Sequence, residues 1–184
     1  MFSPSILISK LRERAAEAGL WRPETHRRGD ELLRQGAPCG DVVVLTRGLA
    51  KLTYLTPSGD EWIKSFIVDE GLFGALDGDV ARFGAFSIEP CTIARLPMDW
   101  IRSVADADPA IAAAAAGFGR WLAERKQARE EALLCETAET RYRGLLLREP
   151  RLIARLPQGD VARYLRVTPV AFSRIKRRVR DVRM

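Results

Sequence analysis

The sequence is poor in the residues that build metal and redox centres. Its 184 residues include three cysteines and one histidine. Cys39, Cys91 and Cys135 lie far apart and form no CxxC pair, so the spacing of a zinc or iron–sulfur site is missing. Their odd number argues against a disulfide framework and fits a reducing compartment. We therefore expect three small buried apolar residues and no metal site.

The single histidine also limits the enzyme classes that the chain can serve. Ser–His or Cys–His catalysis would need His26, which lies in a polar stretch with no other catalytic signal. Metal chemistry inside a small β-barrel needs two or three histidines on strands. The sequence therefore predicts that the protein is not an enzyme.

Long apolar runs are missing as well. No stretch approaches 18 apolar residues, and the first residues lack the basic start and long apolar core of a signal peptide. The hydrophobic fraction is 47% and the charged fraction 29%, which is ordinary globular usage. We expect a soluble, cytoplasmic protein that does not use a membrane.

The positive charge is concentrated near the end of the chain. Residues 137–184 contain 13 Lys and Arg against 4 Asp and Glu, whereas residues 1–136 contain 17 against 20. A basic terminal segment on a mildly acidic body indicates a module that meets a polyanion. Composition alone also allows a charged face that only meets solvent.

The first half of the chain changes from a helical to a strand-like pattern. A short amphipathic helix is predicted over residues 6–18. Short β-branched or aromatic segments separated by turn signals then predict strands at 41–46, 48–55, 61–68, 83–88 and 91–96. Strands at such spacing are typical of a sandwich, jelly roll or small barrel. A short helix follows at 97–105.

A long helix is predicted from Pro109, which suits the first helical position after Asp108. Alanines and long charged side chains favour about 25 helical residues. The helix could cover its own β domain or pair with the same helix of a second subunit, and we favour the second. Four apolar residues at alternating four- and three-residue spacing are the predicted dimer interface: Ile111, Ala115, Phe118 and Leu122.

The segment after Thr137 is predicted to be helical again and to end in a helix-turn-helix. Thr137 is placed to cap a helix that ends at Pro150. In residues 156–180 we place helices over 157–165 and 168–179, with a turn at 166–167. Thr168 then caps the second helix, and Pro169 occupies its first position. The apolar residues turn inward as one set: Val161, Ala162, Leu165, Val167, Phe172 and Ile175.

The outer face of the second helix is predicted to bind DNA. Arg174 has a fork that matches guanine O6 and N7, and Ser173 reaches a base edge or a phosphate. The alternative is a helical hairpin with a basic solvated face, but spacing, cap and charge all favour DNA. The other predicted DNA-binding residues are Gln158, Thr168, Pro169 and Val170, with Lys176, Arg177, Arg178 and Arg180 on the phosphates.

The order of β-roll, long helix and helix-turn-helix resembles the CRP/FNR family of bacterial transcription regulators. The stretch RRGDELLRQGAPCGDVVVLTRGLAKL is similar to the family's early β-roll, with Gly29, Gly36 and Gly48 at its turns, and LPQGDVARYLRVTPVAFSRIKRR is similar to its recognition unit. The resemblance implies an α+β fold with a cyclic-nucleotide-binding-like β-roll of jelly-roll type (1–108), a dimerisation helix (109–136) and a helix-turn-helix domain (137–184). It also implies a homodimer on a palindromic site in double-stranded DNA, with RNA polymerase as a candidate further partner.

The chain departs from the family at the ligand pocket. Members that bind cyclic AMP carry Gly-Glu-Leu followed by Arg-Ser/Thr-Ala, and the matching residues here are Gly74, Ala75 and Leu76, then Arg82 and Phe83. Ala75 cannot accept a hydrogen bond, and Phe83 has no hydroxyl. We expect an empty or side-chain-filled roll, with no cyclic nucleotide or other cofactor. The alternative is a module that responds to a cyclic nucleotide or small ligand and acts mainly through a protein partner.

Two further departures lie in the recognition unit. Val170 stands where the family often has glutamate, so the family's usual half-site is not expected here. Arg166 stands at a turn position usually taken by glycine, which predicts a left-handed backbone there. Few residues follow the second helix, so the family's β-wing is expected to be reduced or absent.

Overall fold

A computed structural model describes residues 3–74 and 80–181. The first helix, α1 (Pro4–Glu17), begins where the hydroxyl of Ser3 accepts a hydrogen bond from the backbone N–H of Ser5 at 3.4 Å. The predicted amphipathic helix is confirmed, because one side of α1 is buried: Leu7, Ile8, Leu11 and Ala15.

Within the described residues, eight strands form two antiparallel sheets. One sheet has the strand order β1-β8-β3-β6 and the other the order β2-β7-β4-β5. The strands are β1 (Glu24–His26), β2 (Glu31–Leu33), β3 (Asp41–Arg47), β4 (Leu49–Leu55), β5 (Glu61–Val68), β6 (Gly71–Gly74), β7 (Gly84–Ser87) and β8 (Cys91–Pro97). The five predicted strands are confirmed. The sequence did not predict β1, β2 and β6, because three or four residues are too few to show a period.

The two sheets enclose an apolar core, as expected for a β-roll. Cys39 and Cys91 are buried in this core, but Cys135 is exposed. The expectation that all three cysteines are buried is therefore wrong for Cys135, which lies in the last turn of a helix that has left the core. Core residues come from both sheets and include Leu32, Val43, Leu45, Leu52, Phe73, Ala85 and Ile93.

Turn glycines close the ends of the roll. The prediction for Gly29, Gly36 and Gly48 is confirmed, since all three have positive φ. Gly48, with φ of 101°, joins β3 to β4, and a Cβ at this position would collide with the carbonyl oxygen of Pro90. No other residue type fits at this turn without displacing the turn that precedes β8.

Six helices follow the strands in the described chain. The predicted long helix is confirmed, and the side chain of Asp108 accepts from the backbone N–H of Ala110 at 2.9 Å to cap it. Pro150 ends one helix as predicted, but it also begins a short helix that the sequence did not predict. The helices are α2 (Met98–Ala107), α3 (Pro109–Cys135), α4 (Ala138–Arg148), α5 (Pro150–Arg155), α6 (Gln158–Tyr164) and α7 (Pro169–Asp181). None of the helices placed here has the length and apolar character needed to cross a membrane.

The first half of α3 packs onto its own protomer through α1. Ile111 and Phe118 are 1% and 8% exposed, in one apolar cluster with α1 and the β3, β6 and β8 strands. Ala115 and Leu122 pack against the edge of the same cluster. The four residues predicted as a dimer interface thus lie in or beside the cluster that α3 shares with α1, α2 and the roll, as in the alternative where the helix covers its own domain.

Candidate nucleic-acid interface

The helix-turn-helix is built from α6 and α7. Val161, Ala162 and Leu165 of α6 are 3%, 0% and 1% exposed, and Phe172 and Ile175 of α7 are 3% and 6% exposed. Ala162, the smallest of these side chains, is fully buried. The predicted inward-facing set is confirmed, with Val167 partly buried against it.

The turn between the two helices follows the expected backbone rules. Arg166 has a φ of 60°, which confirms the predicted left-handed position. The hydroxyl of Thr168 accepts a hydrogen bond from the backbone N–H of Ala171 at 3.2 Å, as expected of an N-cap, and α7 begins at Pro169. Cap, proline and turn together fix where α7 starts and which face it exposes.

The outer face of α7 is open to solvent. Val170 is 64% exposed, the highest value among the large apolar residues of α6 and α7. Among the described residues no acid pairs with Arg174, Lys176 or Arg177. Their positive charges are therefore available to an external polyanion. The other residues predicted for this face are also exposed: Gln158, Thr168, Pro169 and Ser173.

Two predicted contacts are less free than the sequence suggested. The hydroxyl of Ser173 donates to the carbonyl oxygen of Pro169 at 3.0 Å, so its proton is already bonded within the helix. The Nε of Arg178 donates to Glu139 of α4 at 3.0 Å. Glu139 also pairs with Arg143, and these two arginines hold the pKa of its carboxyl group below the usual range. The side chain of Arg178 is therefore less available to bind a phosphate than that of Lys176 or Arg177.

The comparisons with known proteins agree with this architecture. Residues 23–108 match the family model of the cyclic nucleotide-binding domain. The matched residues make up a little under half of the chain.

Relatives extend the match beyond that domain. The nitrogen fixation regulation protein FixK of Azorhizobium caulinodans is 27% identical over 71% of this chain, which spans about half (52%) of that relative's length. The fold matches FixK2 from Bradyrhizobium japonicum (TM-score 0.77, 20% identity, 88% of this chain and 85% of the other). It also matches a mutant of CooA from Carboxydothermus hydrogenoformans (TM-score 0.80, 13% identity, 99% and 87%). The resemblance to the CRP/FNR family is confirmed, and FixK is named as a regulator and not as an enzyme.

The part of the β-roll that corresponds to the family's ligand pocket is only partly described. Ala75 and Leu76 lie outside the described residues, as do the residues after α7 where a wing would follow. Arg82 is exposed, and Phe83 is half-buried against the core of the roll. At Gly74 a Cβ would lie 2.7 Å from the carbonyl oxygen of Asp41, so the backbone is close-packed here.

Sequence reasoning missed Lys64 of β5 near this pocket. Its Nζ lies 4.6 Å from the centre of the Phe83 ring. Burial and the positive charge of Lys126 on α3 lower the pKa of Lys64 to about 8. Its place in a predicted strand was the only sequence signal for a partly buried lysine. Separately, no group of three or more His, Cys, Asp or Glu in residues 3–74 and 80–181 is placed to hold a metal ion.

The interface between the C-terminal helices and the β-roll was also missed. We call residues 138–181, from α4 to α7, the helix-turn-helix unit. Lys51 of β4 lies 3.4 Å from Asp160 of α6, and the guanidinium of Arg166 lies 4.1 Å from the centre of the Trp62 ring. One apolar cluster spans both parts: Leu49, Ile63, Phe66 and Ile88 from the roll, with Leu152, Leu156, Val161, Leu165 and Phe172 from the unit. The unit therefore docks on the sheet that contains β4 and β5.

Proposed function

We propose that the protein is a sequence-specific DNA-binding transcription regulator of CRP/FNR type, acting as a homodimer on a palindromic site without cyclic AMP. The open outer face of α7 carries this proposal, because Arg174, Lys176 and Arg177 present free positive charge on a capped and rigidly seated helix. A cytoplasmic location, RNA polymerase as a partner and the three parts 1–108, 109–136 and 137–184 belong to the same proposal.

Independence from cyclic AMP is supported by the residues near the pocket. Arg82, the only arginine near the place of the family's phosphate-binding residue, points to solvent, and the aromatic ring of Phe83 follows it where the family has a hydroxyl. Lys64 adds no matching contact either, because the base of a nucleotide is neutral and the ammonium group of Lys64 is desolvated beside Phe83. These side chains offer no matched set for ribose and cyclic phosphate.

Genome-fragment selection with the purified protein tests the proposal directly. At fixed salt, with and without cyclic AMP, we expect the same palindromic sequence to be enriched under both conditions. Salt must be held constant because phosphate contacts make affinity strongly salt-dependent. Enrichment only with the nucleotide would contradict the cyclic-AMP-independent part of the proposal.

The second candidate is a small-ligand-responsive module that acts mainly through a protein partner. Lys64 favours it, because a half-buried ammonium group next to Lys126 would be stabilised by an anionic ligand between the roll and α3. In the same selection this candidate predicts that no DNA sequence is enriched, so a single experiment separates the two.

Dimerisation is proposed to use the face of α3 that α1 leaves uncovered. Ala112, Ala116 and Ala123 are exposed along this face, and Leu134 near its end is 78% exposed. Small residues allow two helices to approach closely, and an apolar side chain that is open in one protomer gains from burial in a pair. The first half of the opposite face is already occupied by contacts with α1.

A charge placed at the centre of the exposed α3 face is expected to separate the subunits. Ala116→Glu should give the mass of a monomer in light scattering at micromolar concentration, because two carboxylates would be buried against each other at the symmetry axis. Ala16→Glu, on the exposed side of α1, adds the same charge and should leave a dimer. A wild-type monomer with an intact fold would contradict the proposed dimer.

A further inference from the structure

Arg155 of α5 connects the helix-turn-helix unit to two acids of the β-roll. Its Nη1 and Nη2 donate to Asp69 at 2.7 and 2.9 Å, and its Nε and Nη2 donate to Glu89 at 3.0 and 2.7 Å. One guanidinium therefore holds two carboxylates, each through two hydrogen bonds. This planar two-fold geometry is the one in which arginine binds carboxylates most strongly.

The two acids are held in place by the turns that carry them. Asp69 lies between β5 and β6 with φ of 54°, a conformation that aspartate tolerates better than most residues, and its backbone N–H donates to Gly48 at 2.7 Å. Glu89 lies between β7 and β8, and its backbone N–H donates to Leu49 at 3.3 Å. Both carboxylates thus belong to one end of the roll, where Gly48 fixes the backbone.

Other contacts also hold the helix-turn-helix unit on the roll. Tyr164 of α6 packs on Phe66 of β5, with ring centres 5.2 Å apart, and Arg129 of α3 lies 3.7 Å from the centre of the Tyr164 ring. The unit is therefore held by an apolar layer in the middle and by ionic contacts at its edges. None of these contacts uses the outer face of α7.

We propose that Arg155 clamps the helix-turn-helix unit to the β-roll in the orientation that leaves α7 free to bind DNA. This orientation is set by contacts inside the protomer and not by a ligand in the roll. The consequence for DNA binding rests on the proposed function, but the contacts of Arg155 with the two acids are present in the protein without DNA.

Loss of the clamp is expected to let the unit move relative to the roll. The fraction of molecules that hold α7 in the orientation for DNA binding then decreases, and the observed affinity for DNA decreases in proportion to it. We expect roughly tenfold weaker binding to a selected palindromic site, the usual size for one coupling contact.

The test compares Arg155→Met with Arg151→Met. Methionine keeps the apolar stem and removes the guanidinium. Arg151 lies one turn earlier on α5, is exposed, and makes no ion pair with the described residues, so its replacement controls for the lost charge. Hydrogen exchange of the free protein should become about tenfold faster in β5 and α6 for Arg155→Met only, and only this variant should bind the site more weakly.

A second variant distinguishes loss of this contact from general disruption of α5. Asp69→Asn keeps a residue that tolerates positive φ and removes one carboxylate. Its effect on exchange should not add to that of Arg155→Met in the double variant, because both break the same contact. Unchanged exchange in Arg155→Met, or fully additive effects, would overturn the clamp.

Tighter DNA binding by Arg155→Met would overturn the proposed orientation, because the clamped state would then be the one that blocks DNA. If the wild-type protein selects no DNA sequence, the regulator proposal fails, while exchange in β5 and α6 still decides the clamp.

Discussion

Replacing Arg174 with alanine is expected to remove most of the discrimination between the selected DNA site and other DNA. Arg174 is exposed on the outer face of α7 and pairs with no acid of the described chain, so its guanidinium is free to bind a guanine edge through two hydrogen bonds. Each such contact contributes about 1–3 kcal/mol of discrimination. A homodimer uses the contact twice, so the specificity ratio should fall by roughly 30-fold to more than 10⁴-fold.

Competition binding at fixed salt measures this effect, with the selected site against a scrambled site. Arg178→Ala is the matched control, because it removes the same side chain one turn further along α7, where Glu139 already neutralises part of the charge. We expect Arg178→Ala to weaken binding to both sequences slightly and to leave their ratio unchanged. Equal discrimination by Arg174→Ala and wild type would show that base recognition does not depend on Arg174.

The helix-turn-helix was predictable because its determinants are local. Thr168, Pro169 and the left-handed Arg166 each act on neighbouring backbone groups, and the apolar residues recur within two turns. A pattern confined to 25 residues specifies both the turn and the faces of the two helices. The exposed residues of α7 follow directly from the same period.

The docking of this unit on the roll was not predictable in the same way. Arg155 and Asp69 are 86 residues apart, and Lys51 and Asp160 are 109 apart. Neither pair has a sequence signature, since an arginine or an aspartate on a short helix is equally compatible with solvent. The contacts arise from the packing of α6 on β5, which becomes visible only in three dimensions.

The apolar residues of α3 that were predicted as a dimer interface show a different limit of sequence reasoning. The spacing of Ile111 and Phe118 correctly indicated a buried face, but the same period serves packing within a protomer and packing between protomers. The apolar face of α1 occupies part of this surface, since Leu11 belongs to the same buried cluster as Ile111 and Phe118. Period alone therefore identifies burial without identifying the partner.

A second large effect is expected for Phe172→Ala. The Phe172 side chain is 3% exposed, and its ring forms a T-shaped contact with the ring of Tyr142 of α4, with ring centres 5.0 Å apart and an interplanar angle of 88°. Truncation of such a buried ring costs about 3–5 kcal/mol, a large part of the 5–15 kcal/mol that stabilises a typical domain. We expect the helix-turn-helix unit to lose its fixed packing and specific DNA binding to be abolished.

Urea unfolding followed by far-UV circular dichroism measures the loss, and hydrogen exchange locates it. Because the cluster around Phe172 includes Ile63 and Phe66 of β5, exchange should also rise in β5, while the strands on the opposite sheet keep their protection. Phe172→Leu, which keeps most of the volume, should lose less than half as much stability, and Val170→Ala, on the exposed face, should lose almost none. If Phe172→Ala unfolds at the same urea concentration as Val170→Ala, the shared apolar cluster is not what holds the unit on the roll, and the polar contacts of Arg155, Lys51 and Arg166 must carry that role.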